Sequence, residues 1–319
     1  MNKMSPKERA IKALTLKQPD YVPTMELEFQ TTYELFHEEY YSGSEVESGI
    51  SRDEIIDHNA KLFAKVLDYF DYAIAMVCRG VPSIPGENFD DTLISMMQKT
   101  KEYLKEDRLF MCHGDATYAI PDGNTMLDFV YNLADHPDKM KDRAKRMVEK
   151  ELERDLRLMK AGFDGFALCS DYAFNKGSFL SPAMFGEFIA PYLEELIREQ
   201  RKMGAYVIKH TDGDIMPIID QIVDCKPHAL HSLDPQGGID VATIKKLYGD
   251  RICLIGGVNC GLMQTGTKEQ ILESARYAME SGKPGGGYIF STSNVVFKGM
   301  PLESYLLIYD YYLKNRDYL

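Results

Sequence analysis

Ala205-Tyr206-Val207-Ile208-Lys209-His210-Thr211-Asp212-Gly213-Asp214 opens as an apolar run and ends in a lysine, an imidazole, two carboxylates and a glycine. A strand buried on both faces reads as a near-continuous apolar run, which stops where polar residues resume. Working outward, seven further runs of this kind cover residues 21–29, 72–77, 109–115, 163–171, 229–235, 252–259 and 288–294. Helix-length segments separate them, which is the signature of parallel βαβ units. Eight such strands in a chain of this length predict a closed (β/α)8 TIM barrel. An open doubly wound sheet would need a glycine-rich phosphate turn after its first strand. Here Met25-Glu26-Leu27-Glu28-Phe29-Gln30 follows Thr24, with no glycine.

The segments between the runs carry helix-start chemistry. Ser5-Pro6-Lys7-Glu8, Ser51-Arg52-Asp53-Glu54 and Thr267-Lys268-Glu269-Gln270 are capping boxes, in which the first and fourth residues satisfy each other's backbone amides. The second predicts a helix through about residue 70, and Gly282 closes the third. Ser181-Pro182 opens a helix that Pro191 should kink, and Asp240 caps a short one that ends at Gly249.

Composition narrows the function. The 319 residues carry a net charge of −12, so a nucleic-acid partner is not expected, because phosphate binding needs a basic footprint. The first twenty residues hold no apolar run fit for a signal peptide or membrane span, which predicts a cytoplasmic protein without a membrane partner. The six cysteines form no Cys-x-x-Cys pair and read as reduced thiols. No linker divides the chain, so residues 1–319 are expected to form a single domain.

Barrel catalysis sits at the C-terminal ends of the strands. Those ends carry Glu26 and Glu28, Cys78, His113 and Asp115, then Asp171 and Tyr172, His210 and Asp212, His231 and Asp234, Cys260, and Asn294. His210 and Asp212 share a face by the period-two alternation of a strand, so together they can grip a Zn2+ ion. Cys260 offers a third ligand and Glu28 a carboxylate from the opening strand. Glu26 should share the face of Glu28, and His113 that of Asp115. Asp171, Tyr172 and Asp115 are the expected catalytic acids. Glu26, His113, Asn175, His231 and Asn294 are the expected substrate contacts.

Several segments together resemble the uroporphyrinogen decarboxylase-like superfamily: Arg9-Ala10 with Pro19-Asp20-Tyr21-Val22-Pro23, Leu180-Ser181-Pro182-Ala183-Met184-Phe185-Gly186-Glu187-Phe188, Lys209-His210-Thr211-Asp212-Gly213-Asp214, Gly256-Gly257-Val258, Gly286-Gly287-Tyr288-Ile289-Phe290 and Met300-Pro301-Leu302-Glu303. The resemblance runs through nearly the whole chain. True decarboxylases of that superfamily hold a polyanionic porphyrinogen with arginines after the first strand, where this chain has Glu26 and Gln30. Cys78 stands where they carry an aspartate, and Ser293-Asn294-Val295 replaces a Gly-His-Gly turn. The resemblance is closer to the corrinoid-dependent methyltransferase branch, including its O-demethylating members. Its coenzyme M enzymes bind zinc through a His-x-Cys pair and a late cysteine. This chain keeps His210, has Asp212 in place of the cysteine, and lacks the late thiolate.

What the resemblance implies is methyl transfer from a small methoxylated or N-methylated donor to the cobalt of a corrinoid carried by a partner protein, assisted by Zn2+. A homodimer, common among relatives, is the assembly it suggests. Methyl transfer from the corrinoid to tetrahydrofolate or a thiol, and a lyase that decarboxylates a small carboxylate, are the alternatives. A barrel that only binds the corrinoid partner is the non-catalytic one.

Overall fold

The structure, a computed structural model, describes residues 4–318. Its main sheet joins β1 (Ile74–Met76), β2 (Leu109–His113), β3 (Gly165–Leu168), β6 (Tyr206–His210), β7 (Ala229–Ser232), β8 (Cys253–Gly256) and β9 (Tyr288–Ile289) in that order. Every neighbouring pair is parallel. A short antiparallel hairpin, β4 (Ala173–Phe174) with β5 (Gly177–Ser178), stands after β3.

The sheet curls into a barrel, and the segment around Thr24 closes it. Thr24 makes isolated parallel bridges to Tyr72 on one side and Phe290 on the other. The Phe290 amide donates to the Pro23 carbonyl at 2.9 Å, and the Ala73 amide donates to the Thr24 carbonyl at 2.8 Å. The expected first strand is thus present as bridges and not as a regular ladder. The other strands are shorter than their apolar runs, because the runs continue past the last ladder bond into the loops that build the mouth.

Alternation along the strands sorts side chains into two cores. Ile74, Met76, Met111, Ala167, Ile208, Ala229, Ile255 and Ile289 fill the lumen. Phe110, Phe166, Leu168, Val207, Leu230 and Leu254 face the helical layer. Each such buried side chain contributes about 1.5–3 kcal/mol relative to exposure. The helix Pro6–Leu14 plugs the lumen floor with Ala10, Ala13 and Leu14. Lys7 anchors that helix at 3.0 Å to Asp164, the residue before β3.

The helix starts follow local chemistry. All three capping boxes form, on the helices Pro6–Leu14, Arg52–Tyr69 and Lys268–Gly282. Such caps are worth about 1 kcal/mol each. Pro191 does more than kink its helix. The segment breaks at Ile189 into Pro182–Phe188 and Ala190–Lys202, since proline at the second helical position of the latter cannot donate backward. No helix of the described residues is long and apolar enough to cross a membrane.

Candidate active site

β6 ends in the lumen-facing pair Ile208 and His210, so Lys209 between them turns outward. Register places His210 opposite His231 of β7. Their Nδ1 atoms lie 2.7 Å apart, and His231 Nε2 lies 3.2 Å from the Thr292 carbonyl. A carbonyl only accepts, so His231 carries its proton on Nε2 and its Nδ1 accepts. His210 therefore donates from Nδ1, and its Nε2 is left with a lone pair. Burial, with the neighbouring His231 and Lys209, holds the His210 pKa well below the usual histidine range. Burial also takes His231 down to about 4. Both rings are neutral at pH 7.

His210 Nε2 lies 3.8 Å from Asp212 Oδ1. The Asp212 backbone is held by its amide, which donates to Asp171 Oδ1 at 3.0 Å, and its Oδ2 accepts from Asn294 Nδ2 at 2.5 Å. Gly213 makes the turn that follows. Its φ is +81°, and an added Cβ would stand 2.7 Å from the carbonyl oxygens of Ala173 and Phe174. Asp212 Oδ1 is buried without a hydrogen-bond partner. Burial, opposed by the nearby Ser232 hydroxyl and reinforced by Asp171 and Asp234, pushes the Asp212 carboxyl up to about 7.

Asp171, His210 and Asp212 each bring a ligand atom within 4.8 Å of the others. Two ligands at about 2.1 Å from a tetrahedral ion stand roughly 3.4 Å apart, close to the His210–Asp212 spacing. A lone-pair nitrogen, an orphaned buried carboxylate oxygen and a second carboxylate fit a divalent cation. Among the described residues no lysine forms an ion pair with Asp171 or Asp212. Lys209 instead binds Asp115 at 2.9 Å on the outer side of the sheet, with its ammonium 4.0 Å from the centre of the Tyr172 ring.

The other expected site residues divide into groups. Asp212, Asn175, Cys260 and Asn294 line one cavity of about 420 Å³, with Asn175 at the tip of the β4–β5 hairpin. Cys260 does not join the His210 cluster. Burial pushes its thiol up to about 11, and its Sγ lies 3.9 Å from the Val295 carbonyl. Glu28 groups with Cys78 and His113, whose ligand atoms lie within 4.8 Å of one another. All three line a second cavity of about 470 Å³.

Glu26 lines one small pocket together with Glu28 but takes different partners. It is buried in the barrel wall, accepting from the Thr292 amide at 3.0 Å, from the Ser291 hydroxyl at 3.1 Å and from the Tyr305 hydroxyl at 3.3 Å. Burial pushes its carboxyl up to about 7. Asp115 leaves the face of His113, since β2 ends at His113. Burial alone would raise its pKa, but Lys209 and hydrogen bonds from Thr117 and Ser170 hold it below the usual carboxylate range. It is an anchored anion and not a proton donor. Tyr172 is buried with its hydroxyl 2.5 Å from that of Thr117, away from both cavities. Of the three expected acids, Asp171 alone joins the His210 cluster. Sequence reading did not join His231 to His210 or Cys78 to Glu28, because both pairings depend on neighbouring strands.

Comparison with known proteins follows this geometry. The family model described as Uroporphyrinogen decarboxylase (URO-D) matches residues 116–311. No curated protein matches the sequence. Among solved structures, a methyltransferase from Methanosarcina mazei superposes with a TM-score of 0.71 at 15% identity, covering 97% of this chain and 99% of that one. A B12-independent methionine synthase from Shewanella sp. W3-18-1, in complex with selenomethionine, has a TM-score of 0.52 at 12% identity, covering 83% of this chain and 90% of that one. At these identities the likeness is one of fold.

Proposed function

Since the chain belongs to the uroporphyrinogen decarboxylase (URO-D) family, we propose that within it this protein is a methyltransferase, moving a methyl group from a small methoxylated or N-methylated donor to the reduced cobalt of a corrinoid held by a partner protein. The observation that carries this reading is the His210 Nε2 lone pair beside the orphaned Asp212 Oδ1, at the edge of a cavity of about 420 Å³. That volume suits a small molecule. A polyanionic porphyrinogen would meet Asp171, Asp212 and Asp234, and like charges in a low-dielectric mouth repel strongly.

His210 and Asp212, with Asp171 beside them, would hold a Zn2+ ion. An oxygen- and nitrogen-rich set is hard and suits an oxygen-bearing donor. The ion would supply Lewis acidity toward the donor's leaving oxygen or nitrogen. The protein's own residues do the rest. His231 fixes the His210 tautomer, and Asn294 turns Asp212 so that Oδ1 faces His210. Asn175 and Cys260 line the space where the donor sits. Transfer of the methyl carbon to the partner's corrinoid would leave the bonding pair on the donor's oxygen or nitrogen. The proton that neutralises it comes from solvent, while Asp171, accepting from the Asp212 amide, holds its place in the cluster. The barrel's part is position and electrostatics, while the electron chemistry belongs to the partner's cofactor.

The test is to incubate the metal-analysed protein with a reduced corrinoid protein and a panel of methoxylated and N-methylated compounds, following methylcobalt formation by absorbance. Methylation that disappears in Asp212→Asn is expected. Release of CO2 from small carboxylates with no corrinoid methylation would overturn the reading in favour of a lyase.

A further inference from the structure

Glu28, Cys78 and His113 come from three consecutive positions around the barrel: the closing segment, the loop after β1 and the last residue of β2. Carboxylate oxygen, thiol sulfur and imidazole nitrogen approach within 4.8 Å of one another. Yet among the described residues no hydrogen bond or ion pair joins any two of them. The Cys78 thiol donates instead to the Leu27 carbonyl at 3.2 Å, and Glu28 Oε2 accepts from Gln30 Nε2 at 2.7 Å. Three donor atoms this close, and not bonded to each other, are spaced as ligands around a shared ion are.

A supporting layer stands behind two of the three. Gln30 is itself held by the Lys298 amide, which donates to its Oε1 at 3.1 Å, so the side chain that turns the Glu28 carboxylate is tied at its other end. Arg154 donates from Nη1 to the His113 carbonyl at 2.9 Å while its Nε binds Asp90 at 2.9 Å, which pins the backbone that presents the imidazole. Metal ligands are held in this way, and the outer partners set affinity. The imidazole is exposed to the cavity of about 470 Å³, where the guanidinium of Arg79 also stands exposed.

We infer that Glu28, Cys78 and His113 form a binding site for a divalent cation of zinc type, separate from the His210 cluster, with an open coordination position facing the Arg79 side of the cavity. A mixed oxygen, sulfur and nitrogen set matches the borderline softness of Zn2+ and Co2+. On binding, the Cys78 thiol releases its proton to solvent and the thiolate ligates. With three protein ligands, the fourth position takes water or a small anionic ligand, such as a carboxylate or thiolate, that the Arg79 charge attracts. The inference does not rest on methyl transfer.

The experiment loads the metal-stripped full-length protein with Co2+ and reads stoichiometry together with the thiolate-to-cobalt charge-transfer band. Two equivalents and a band are expected. Cys78→Ser should lose the band and one equivalent. His113→Ala, with folding checked by circular dichroism, should lose the same equivalent. Gln30→Leu should weaken it about 10- to 100-fold. Asp212→Asn should keep the band and lose the other equivalent. A wild-type protein without the band, or a band that survives Cys78→Ser, overturns the inference. One equivalent with a Cys78-dependent band sinks the His210 site and leaves this one standing.

Discussion

The Nδ1 atoms of His210 and His231 face each other at 2.7 Å, and through that contact the Thr292 carbonyl decides which nitrogen of His210 is free to bind. His231 touches nothing else at the cluster, so its effect passes through the tautomer it imposes. His231→Ala is expected to reduce metal affinity at the His210 site by about 10- to 100-fold, as loss of a ligand's outer hydrogen bond does. Chelator competition measures it, and an unchanged affinity would contradict the tautomer argument.

Cys260 and Asp171 separate two ways of building that site. The Cys260 thiol leans on the Val295 carbonyl, whereas Asp171 reaches the cluster. Cys260→Ser should therefore retain metal at the His210 site at wild-type stoichiometry. Asp171→Asn should weaken it. The opposite ranking in equilibrium dialysis would put the thiolate back among the ligands.

Lys209 is fully buried, and its ammonium rests on Asp115 and on the carbonyls of Leu168 and Ser170. Removing only the anion leaves a buried charge without its partner. Asp115→Asn should cost about 3–5 kcal/mol in urea unfolding. The double variant Asp115→Asn with Lys209→Met should recover part of that loss: the amide oxygen still accepts from Thr117, while the Ser170 amide loses the other oxygen as its acceptor. A double variant no more stable than the single one would show that the charge is not the cause.

Much of this was legible in the sequence wherever the determinant is local. The capping residues Ser5, Ser51 and Thr267 announce their helices within four positions, and apolar runs announce the strands. His210 and Asp212 were found because one strand's alternation suffices to pair them. Glu26 and Asp115 part from Glu28 and His113 through contacts with other elements: Ser291 and Thr292 hold Glu26, while Lys209, Thr117 and Ser170 hold Asp115. The His210–His231 contact and the Glu28–Cys78–His113 group depend on how separate strands line up, which a single chain read alone does not encode.

A buried acid away from the mouth gives the fourth prediction. Asp155 lies between the helices Pro137–Ala161 and Ala190–Lys202, accepting from Gln200 Nε2 at 2.7 Å while its Oδ1 is unpartnered. Burial, with Glu151 and Asp90 nearby, pushes its carboxyl up to about 8. Between the unfolded value near 4 and about 8, the folded state holds a proton that the unfolded chain has lost. Stability must then fall as pH rises through that window, by at most about 1.4 kcal/mol per pH unit for one group. Asp155→Asn should remove this slope and be the more stable form at pH 8. Parallel wild-type and variant curves from pH 4 to 8 would refute it.

The join at Thr24 gives the cylinder an uneven circumference. Elsewhere continuous ladders bind each stave to the next, but here isolated contacts are reinforced by one carboxylate, Glu26, clasping Ser291 and Thr292 on one flank and reaching the linked hydroxyls of Tyr305 and Tyr72 on the other. Such a buckle concentrates compliance in a single seam. Any force that widened the rim would load this join first, beside Glu28, ahead of the laddered half that carries His210 and His231.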